Sequence, residues 1–189
     1  PESVVIVGGG FIGLEFASML LDFGSTVTLL DRATTFLARE DRDIAEAIRQ
    51  SLVSRGLSIV PGAEVAEFES QPNGNVLIRY TADDAEQNCS AKAVLVATGR
   101  SPQTSQLNLQ AAGIDCDARG FITVNEQLQT TAPNVWAIGD IHGGPQFTYI
   151  SLDDFRIIKN QLSGGPYNSL AKRSPFATAV FLSPPYARV

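Results

Sequence analysis

The chain has little of several residue types that functional sites often use. Among its 189 residues there are two cysteines and one histidine. Cys89 and Cys116 form no C-x-x-C pair and have no metal-ligand spacing, and a single histidine cannot build a His-rich site. The sequence therefore predicts no metal centre and no functional role for either cysteine, a usage typical of a reducing cytoplasm.

The chain also has fewer basic than acidic residues, with 14 Lys and Arg against 20 Asp and Glu. The net charge is −6, which argues against a nucleic-acid or anionic-membrane surface, because both partners require a basic patch. No apolar run is long enough to span a bilayer, and no signal peptide is visible. The chain opens on Pro1 and stops at "PPYARV", so we expect a fragment of a longer protein. Its 44% apolar and 18% charged residues are otherwise ordinary for a globular domain.

The first sixty residues have a β-α-β pattern. "SVVIV" (3–7), "TVTLL" (26–30) and "LSIV" (57–60) are short, largely β-branched runs that predict buried parallel strands. Helices are predicted over 11–23 and about 41–55. The expected inward faces are Ile12, Phe16, Met19 and Leu20 in the first helix and Ile44, Ile48 and Leu52 in the second.

The pattern then changes to antiparallel. Residues 63–70 and 75–82 flank Pro72-Asn73-Gly74, a strong hairpin signal, and 86–90 favours a third short strand. A buried run, "AVLVAT" (93–98), follows. We therefore predict an α/β, Rossmann-like fold, with a parallel sheet and an inserted antiparallel β-meander.

The remaining residues are richer in loops. A strand pair is expected around "GFITV" and a buried strand at "VWAIG", followed by a helix over about 148–162. Residues 164–175 have linker composition, and "FATAVFL" (176–182) predicts a further strand.

Gly8, Gly10 and Gly13 have the spacing G-x-G-x-x-G between the first strand and the first helix. In a dinucleotide site the first glycine makes a tight turn, the second admits the pyrophosphate, and the third allows close helix–strand packing. The helix N-terminus then meets the phosphate charge. A structural turn without a ligand is the alternative.

Asp31 ends the second strand, 18 residues after Gly13, where an acid is expected to bind the ribose 2′-hydroxyl of NAD. A carboxylate there repels a 2′-phosphate, although the adjacent Arg32 partly offsets that repulsion. The pair therefore favours NAD over NADP. For Glu15 and Phe11 simple explanations suffice, namely complementarity to the helix dipole and core packing.

The motifs together resemble the pyridine nucleotide-disulfide oxidoreductases, flavoproteins that include glutathione reductase, lipoamide dehydrogenase and mercuric reductase. The resemblance runs in order through "GGGFIGLEFA", "VTLLDR", "ATGRSP", "TTAPNVWAIGD" and "FATAVFLSPPYARV". "LAREDRDIA" and "QFTYISLDDFRI" are most similar to the branch that contains mercuric reductases and flavoproteins of reactive-chlorine resistance.

The resemblance implies a role for each matching residue. Phe11 matches an aromatic that covers the flavin until nicotinamide displaces it, and Glu15 an acid near the nicotinamide. Asp140 matches the acid that binds the ribityl chain of FAD. The implied NAD-binding residues are Gly8, Gly9, Gly10, Phe11, Ile12, Gly13, Glu15, Asp31, Arg32 and Gly99. The implied FAD-binding residues are Gly139, Asp140, Phe147, Thr148 and Tyr149.

The chain departs from the family in places. Many members have Thr-Pro at Thr148-Tyr149 and small residues at Asp153-Asp154, which makes the flavin contacts there less secure than Asp140. The family's FAD fingerprint and redox C-x₄-C would precede Pro1, and its His-Glu pair would follow Val189. His142 matches no catalytic position and is interpreted as a turn residue.

The resemblance implies an FAD/NAD(P)-binding fold. It also implies the NAD-binding core of a cytoplasmic, homodimeric enzyme that passes hydride from NADH to FAD, then electrons to a dithiol and a final acceptor. The implied divisions are an NAD domain (1–103), part of an FAD domain (104–165), and a linker with the first strand of a dimerisation domain (166–189). We expect this fragment alone to be inactive and to lack FAD. The alternatives are an NADH oxidase or ferredoxin-reductase-like flavoprotein without the dithiol, and a non-catalytic NAD-binding module.

Overall fold

The computed structural model describes residues 1–189. The strands are β1 (Ser3–Val7), β2 (Thr26–Asp31), β3 (Ser58–Pro61), β4 (Glu64–Ser70), β5 (Val76–Ala82), β6 (Ala85–Ala91), β7 (Ala93–Val96), β8 (Thr178–Val180) and β9 (Tyr186–Arg188). The α-helices are α1 (Phe11–Asp22), α2 (Arg42–Ser54) and α3 (Thr148–Ser163). Short 3₁₀ helices span Leu109–Ala112, Gly139–His142 and Leu170–Lys172. None of the helices is long and apolar enough to cross a membrane.

Four strands form a parallel sheet in the order β3-β2-β1-β7. Val7, the last residue of β1, is in register with Leu30 of β2 on one side and Val96 of β7 on the other. The strands therefore end at one common edge, which carries the glycine turn. The predicted fold class is confirmed.

The central strands are buried on both faces, as their continuous apolar runs predict. Ile6 and Leu29 pack with Leu14 of α1 and Leu52 of α2 in one core cluster. The alternate residues of the same strands, such as Val5, pack with the β4-β5-β6 meander in the other. The helices thus cover one face of the sheet and the meander the opposite face.

The buried face of α1 differs from the sequence prediction. Its buried residues are Gly13, Leu14, Ala17 and Ser18. Ile12, Phe16 and Met19 are instead 40 to 44% exposed. Small residues at positions 13 and 17 let the helix lie close to the sheet, and a pattern that weights only large apolar residues misses that face. In α2 the prediction is better, since Ile48 and Leu52 are buried.

The meander is a three-stranded antiparallel sheet in the order β4-β5-β6. Its first hairpin turns through Pro72-Asn73-Gly74, as predicted, and the Gly74 N–H donates to the Gln71 carbonyl over 2.9 Å. The meander connects β3 to β7 and so returns the chain to the parallel sheet beside β1.

The strands predicted at "VWAIG" and "GFITV" are wrong. Each segment contributes a single antiparallel bridge, Gln129 with Trp136 and Cys116 with Ile122. The first segment leaves the extended conformation at Gly139, whose φ is +71°, and continues as a 3₁₀ helix. Helix α3 then follows at the predicted place.

The C-terminal hairpin, β8 paired with β9, packs beside α1 and α2. The buried carboxylate of Glu40 accepts hydrogen bonds from Tyr186 Oη (2.6 Å) and Arg188 Nη1 (3.0 Å). Ser51 Oγ donates to the Ser183 carbonyl over 3.3 Å. The hairpin is thus held by long-range polar contacts.

The chain forms two compact units. One comprises Pro1–Gly99 together with Ala177–Val189, and the other comprises Arg100–Phe176. The divisions at 103 and 165 suggested by the sequence remain predictions of domain organisation.

Candidate functional site

The turn after β1 requires glycine at its first position. Gly8 has φ +111°, a conformation that side-chain-bearing residues rarely adopt. A Cβ at Gly8 would lie 2.4 Å from the Ala97 carbonyl oxygen, so the neighbouring chain also leaves no space for one. Both constraints, the positive φ and the lack of space for a Cβ, come from the tight turn of the chain at the edge of the sheet.

The other two fingerprint glycines have different surroundings. A Cβ at Gly13 would lie 2.1 Å from the Gly8 carbonyl oxygen, so α1 could not approach the strand as closely with any other residue. A Cβ at Gly10 would meet no atom within 4 Å. The middle glycine therefore faces open space at the start of α1, where a ligand can approach the backbone.

The N-terminus of α1 is suited to bind an anion. Gly10 is the N-cap residue and no side chain caps the helix. The first intrahelical bond runs from the Leu14 N–H to the Gly10 carbonyl over 3.0 Å. The N–H groups of the first turn, which include those of Phe11 and Ile12, carry the positive end of the helix dipole. A phosphate is the ligand that such a terminus commonly binds.

The Asp31 carboxylate lies directly beside this turn. A Cβ added at Gly9 would be 2.3 Å from Asp31 Oδ2. The other oxygen, Oδ1, accepts a hydrogen bond from the Ala33 N–H over 3.3 Å. Arg32 is exposed. The structure thus brings Gly8, Gly9, Gly10, Gly13 and Asp31 together at one edge of the sheet.

Glu15 has a contact that the sequence did not reveal. Its Oε1 accepts a hydrogen bond from the Phe181 N–H in the C-terminal hairpin, at 2.9 Å. The two residues are 166 positions apart, so no local pattern signals the pair. The proximity of Glu15 to nicotinamide, implied by the resemblance, stays a prediction, as does the role of Gly99, which is exposed in the loop after β7.

The second candidate site lies in the other compact unit, around Asp140. Asp140 belongs to the 3₁₀ helix Gly139–His142, and its side chain is about half exposed. Its Oδ2 lies 3.3 Å from Arg100 Nη1, in an ion pair that solvent screens. An open cavity of about 730 Å³ adjoins the carboxylate. It is lined by Arg100, Ile138, Gly139, Asp140, Ile141, Gln146, Phe147, Thr148 and Ser151.

The start of α3 borders the same cavity. The helix begins at Thr148, and Phe147, Thr148 and Ser151 from its first turn line the cavity. The rings of Phe147 and Tyr149 are stacked, with centroids 5.2 Å apart and an interplanar angle of 11°. Phe176 contacts both rings at an angle. The structure therefore brings four of the predicted flavin residues to one cavity and places Tyr149 beside it.

A buried polar cluster supports this turn, and sequence reasoning missed it. Asp154 is fully buried and its Oδ2 accepts a hydrogen bond from the Gly139 N–H over 2.8 Å. His142 Nε2 lies 2.9 Å from the same oxygen, and Arg173 binds Oδ1. One signal was available: Ile150, Asp154 and Ile157 have the i, i+4, i+7 spacing of an inward helix face, and all three are buried.

The cluster keeps Asp154 ionised. Burial alone raises the pKa of this carboxyl group, but hydrogen bonds from His142, the Gly139 N–H and Arg173 outweigh burial and lower the pKa below its ordinary value. Arg173 Nε also donates to Asp153 over 2.7 Å, and the Tyr167 hydroxyl donates to Asp153 over 3.0 Å. His142 is therefore more than a turn residue, because it also contacts the buried carboxylate of Asp154.

The two cysteines lie outside both sites. Both are free; Cys89 is half-buried in the meander and Cys116 is exposed. Burial raises the pKa of the Cys89 thiol, which disfavours the reactive thiolate. Nothing in their surroundings assigns them a role.

The glycine turn and the parallel sheet are typical of nucleotide-binding α/β proteins, and comparison with known proteins identifies the family. Residues 1–154 match the family model described as pyridine nucleotide-disulphide oxidoreductase. The chain belongs to this family.

Several curated proteins are similar to the chain. The chain is 44% identical over 189 residues to the probable pyridine nucleotide-disulfide oxidoreductase RclA of Escherichia coli, covering all of this chain and 42% of the relative. It is 36% identical over 173 residues to a mercuric reductase of Staphylococcus aureus, covering 92% of this chain and 30% of the relative. The chain thus spans well under half the length of these curated relatives.

A solved structure agrees with the assignment. The structure of the HOCl-induced flavoprotein disulfide reductase RclA from Escherichia coli matches with a TM-score of 0.88 and 43% identity. The match covers 99% of this chain and 42% of that one. The resemblance inferred from the motifs is therefore confirmed at the level of the family and fold.

Proposed function

We propose that this chain is the nicotinamide-dinucleotide-binding core of a flavin-dependent oxidoreductase. The observation that carries the proposal is the open helix N-terminus at Gly10 beside the Asp31 carboxylate. The helix terminus suits the pyrophosphate and the carboxylate suits the ribose hydroxyls. The residues assigned to this site are Gly8, Gly9, Gly10, Phe11, Ile12, Gly13, Glu15, Asp31, Arg32 and Gly99.

NAD is the preferred dinucleotide in this proposal. The position of Asp31 against Gly9 puts a negative charge next to the turn, where a 2′-phosphate would be repelled. Arg32 is exposed and can swing towards a phosphate, so the preference is one of degree. The preference for NAD rests on the negative charge of Asp31 and on the position of its side chain beside Gly9.

FAD is assigned to the cavity beside Asp140, with Gly139, Phe147, Thr148 and Tyr149 as further contacts. The chemistry of the lining fits this group, because a half-exposed carboxylate accepts hydrogen bonds from ribityl hydroxyls and the N-terminal N–H groups of α3 suit an electron-rich ring edge. Bound FAD would supply the hydride acceptance and electron transfer of the reaction. Asp140 would orient the flavin chain, with the apolar side chains of Ile138, Ile141 and Phe147 beside it in the cavity lining.

The complete reaction extends beyond these residues. We infer that the whole protein passes hydride from NADH to FAD, and electrons onward to a dithiol and a final acceptor, as a cytoplasmic homodimer. The family membership and the names of the relatives support the oxidoreductase activity in this proposal. Residues 1–189 alone should bind the dinucleotide and show no turnover.

Calorimetric titration of residues 1–189 with NADH and NADPH tests the dinucleotide site. Wild type should bind NADH more tightly, and Asp31→Ala should weaken NADH by about tenfold while changing NADPH much less, because the lost hydrogen bonds are to ribose hydroxyls. Asp22→Ala, an exposed acid at the far end of α1, is the matched control. Equal losses for both dinucleotides would remove Asp31 from the ribose role.

A separate experiment tests the electron path in the full-length protein. NADH should reduce bound flavin rapidly, and two additional thiols per subunit should then become titratable with a thiol reagent. Rapid flavin reduction without new thiols would favour an NADH oxidase or ferredoxin-reductase-like enzyme. Absence of flavin reduction would favour a non-catalytic NAD-binding module.

A further inference from the structure

The buried carboxylate of Asp154 contacts both ends of the turn that carries Asp140. On one side it accepts the Gly139 N–H at 2.8 Å, and on the other it lies 2.9 Å from His142 Nε2. Asp140 is between these two residues in the chain. Asp154 itself is fully buried and the His142 side chain is only 6% exposed, so solvent does not compete for either contact.

Arg173 holds Asp154 through the carboxylate oxygen that does not contact the turn. It binds Asp154 Oδ1 and, through Nε, Asp153 Oδ2 at 2.7 Å, with its own side chain 12% exposed. The Tyr167 hydroxyl donates to Asp153 at 3.0 Å. Every oxygen of Asp154 therefore has a partner, and the carboxylate cannot rotate without breaking at least one of these contacts.

The backbone at Gly139 leaves little room for an alternative geometry. Gly139 has φ +71°, and a Cβ there would lie 2.9 Å from Ser151 Oγ, one turn before Asp154 on α3. The turn therefore packs closely against α3, and the hydrogen bond from the Gly139 N–H to Asp154 holds it there. This arrangement sets where the Asp140 side chain leaves the backbone.

We infer that Asp154, together with His142 and Arg173, is a positioning residue that fixes the Asp140 turn in the geometry that receives the flavin. Asp154 itself does not line the cavity. Its effect on flavin binding passes through Asp140. The inference rests on the proposed FAD role of the Asp140 cavity and assigns a function to Asp154, which departs from the family pattern in the sequence.

The test is a set of FAD titrations on the full-length apoprotein, followed by flavin fluorescence. Asp154→Asn should weaken FAD binding about tenfold or more, because the amide cannot accept from Gly139, His142 and Arg173 together. Asp153→Asn is the matched control: it also loses a bond to Arg173 but has no contact with the turn. It should lower the thermal midpoint of the apoprotein comparably and change the FAD dissociation constant less than about threefold.

A double-mutant cycle separates positioning from general destabilisation. If Asp154 acts through Asp140, then Asp154→Asn should change FAD affinity less than about twofold in an Asp140→Ala background. Additive losses in the double variant would overturn the inference.

A second pair of variants keeps the test decisive if Asp154→Asn does not fold. His142→Gln places an amide donor near the position of Nε2, whereas His142→Ala removes the donor. We expect FAD affinity near that of wild type for the former and about fivefold weaker for the latter. Affinity near that of wild type in both variants would overturn the inference.

The outcomes also distinguish this inference from the proposed function. If the wild-type protein binds no FAD, or if Asp140→Ala leaves its affinity unchanged, the proposed FAD site is wrong. If Asp140→Ala weakens FAD while Asp154→Asn and His142→Ala do not, the site stands and the positioning role of Asp154 is wrong.

Discussion

The carboxylate of Asp31 lies against the backbone of Gly9, so close that a Cβ at Gly9 would be 2.3 Å from Asp31 Oδ2. The register of the sheet creates this contact, since Val7 pairs with Leu30 and the next residues of both strands continue past the same edge. The acid and the glycine turn are therefore one structural unit, and changes at Gly9 should act through Asp31.

Gly9→Ala should displace the Asp31 carboxylate, because the new methyl group occupies the position of its oxygen. We expect NADH affinity to fall by about tenfold, with a destabilisation of about 1 kcal/mol. Titration with NADH and chemical denaturation measure the two effects. In the double variant with Asp31→Ala the two shortest contacts are removed and only the 3.1 Å contact with the Cβ of residue 31 remains, so most of the Gly9→Ala penalty on NADH binding should vanish. A penalty that persists in full would show that Gly9 acts independently of Asp31.

Gly10→Ala should separate binding from folding. Its Cβ would meet no protein atom within 4 Å, and its φ of −74° is ordinary for alanine, so stability should change by less than about 0.5 kcal/mol. The methyl group would nevertheless enter the space assigned to the pyrophosphate, and dinucleotide binding should be lost. Unchanged NADH affinity in this variant would contradict the proposed site.

Gly13→Ala, in contrast to Gly10→Ala, should lower the stability of the fold. Its Cβ would lie 2.1 Å from the Gly8 carbonyl oxygen, which is backbone and cannot rotate away. We expect α1 to move outwards, at a cost of about 1 to 3 kcal/mol of unfolding free energy. Denaturant unfolding measures this cost, and Ala47→Gly, at an exposed position of α2, controls for propensity effects. A stability within error of wild type would contradict the close contact.

Glu40→Gln should loosen the C-terminal hairpin. The Glu40 side chain is 3% exposed and receives bonds from Tyr186 and Arg188, so the neutral amide leaves the guanidinium without its counter-charge. Amide hydrogen exchange in residues 178–188 should accelerate by about tenfold while exchange in β1 and β2 is unchanged. Glu46→Gln, an exposed acid on α2, is the control. Equal exchange rates in both variants would contradict the anchoring role.

The Tyr186–Glu40 bond also predicts an alkaline dependence. The hydrogen bond to the Glu40 carboxylate raises the pKa of Tyr186, with burial adding to the effect. The raised pKa in the folded protein means that this contribution is complete below the ordinary tyrosine value of about 10 and is lost as the pH rises through the raised value. Hairpin exchange should therefore accelerate above about pH 10, and Tyr186→Phe should remove that component.

The ionised state of Asp154 predicts how the stability of the unit Arg100–Phe176 changes at acidic pH. Its pKa is lowered in the folded protein, so its contribution is complete above the ordinary value of about 4 and is lost as the pH falls through the lowered value. Asp154→Asn should cost about 2 to 3 kcal/mol near neutral pH, and the difference from wild type should shrink below about pH 4. Unfolding of both proteins from pH 7 to pH 3 measures it. A difference independent of pH would contradict the ionised, paired state.

The sequence predicted the β-α-β core well because its signals are local. The runs 3–7 and 26–30 correspond to β1 and β2, and the meander follows its Pro72-Asn73-Gly74 turn. The buried face of α1 was misjudged, because Gly13 and Ala17 face the sheet and the larger Phe16 and Met19 do not. "VWAIG" looked like a strand from its apolar content, but only Trp136 finds a bridge partner, Gln129.

The glycine turn was determined by the sequence itself, since Gly8, Gly10, Gly13 and Asp31 lie within one short β-α-β unit whose geometry follows from their spacing. Only the tertiary structure decided the other contacts. Glu15 binds Phe181 across 166 positions, Glu40 binds Tyr186 across 146, and Arg173 reaches Asp154 across 19. Such pairs depend on how separate segments pack and which side chains become buried together, and no spacing within the chain encodes that.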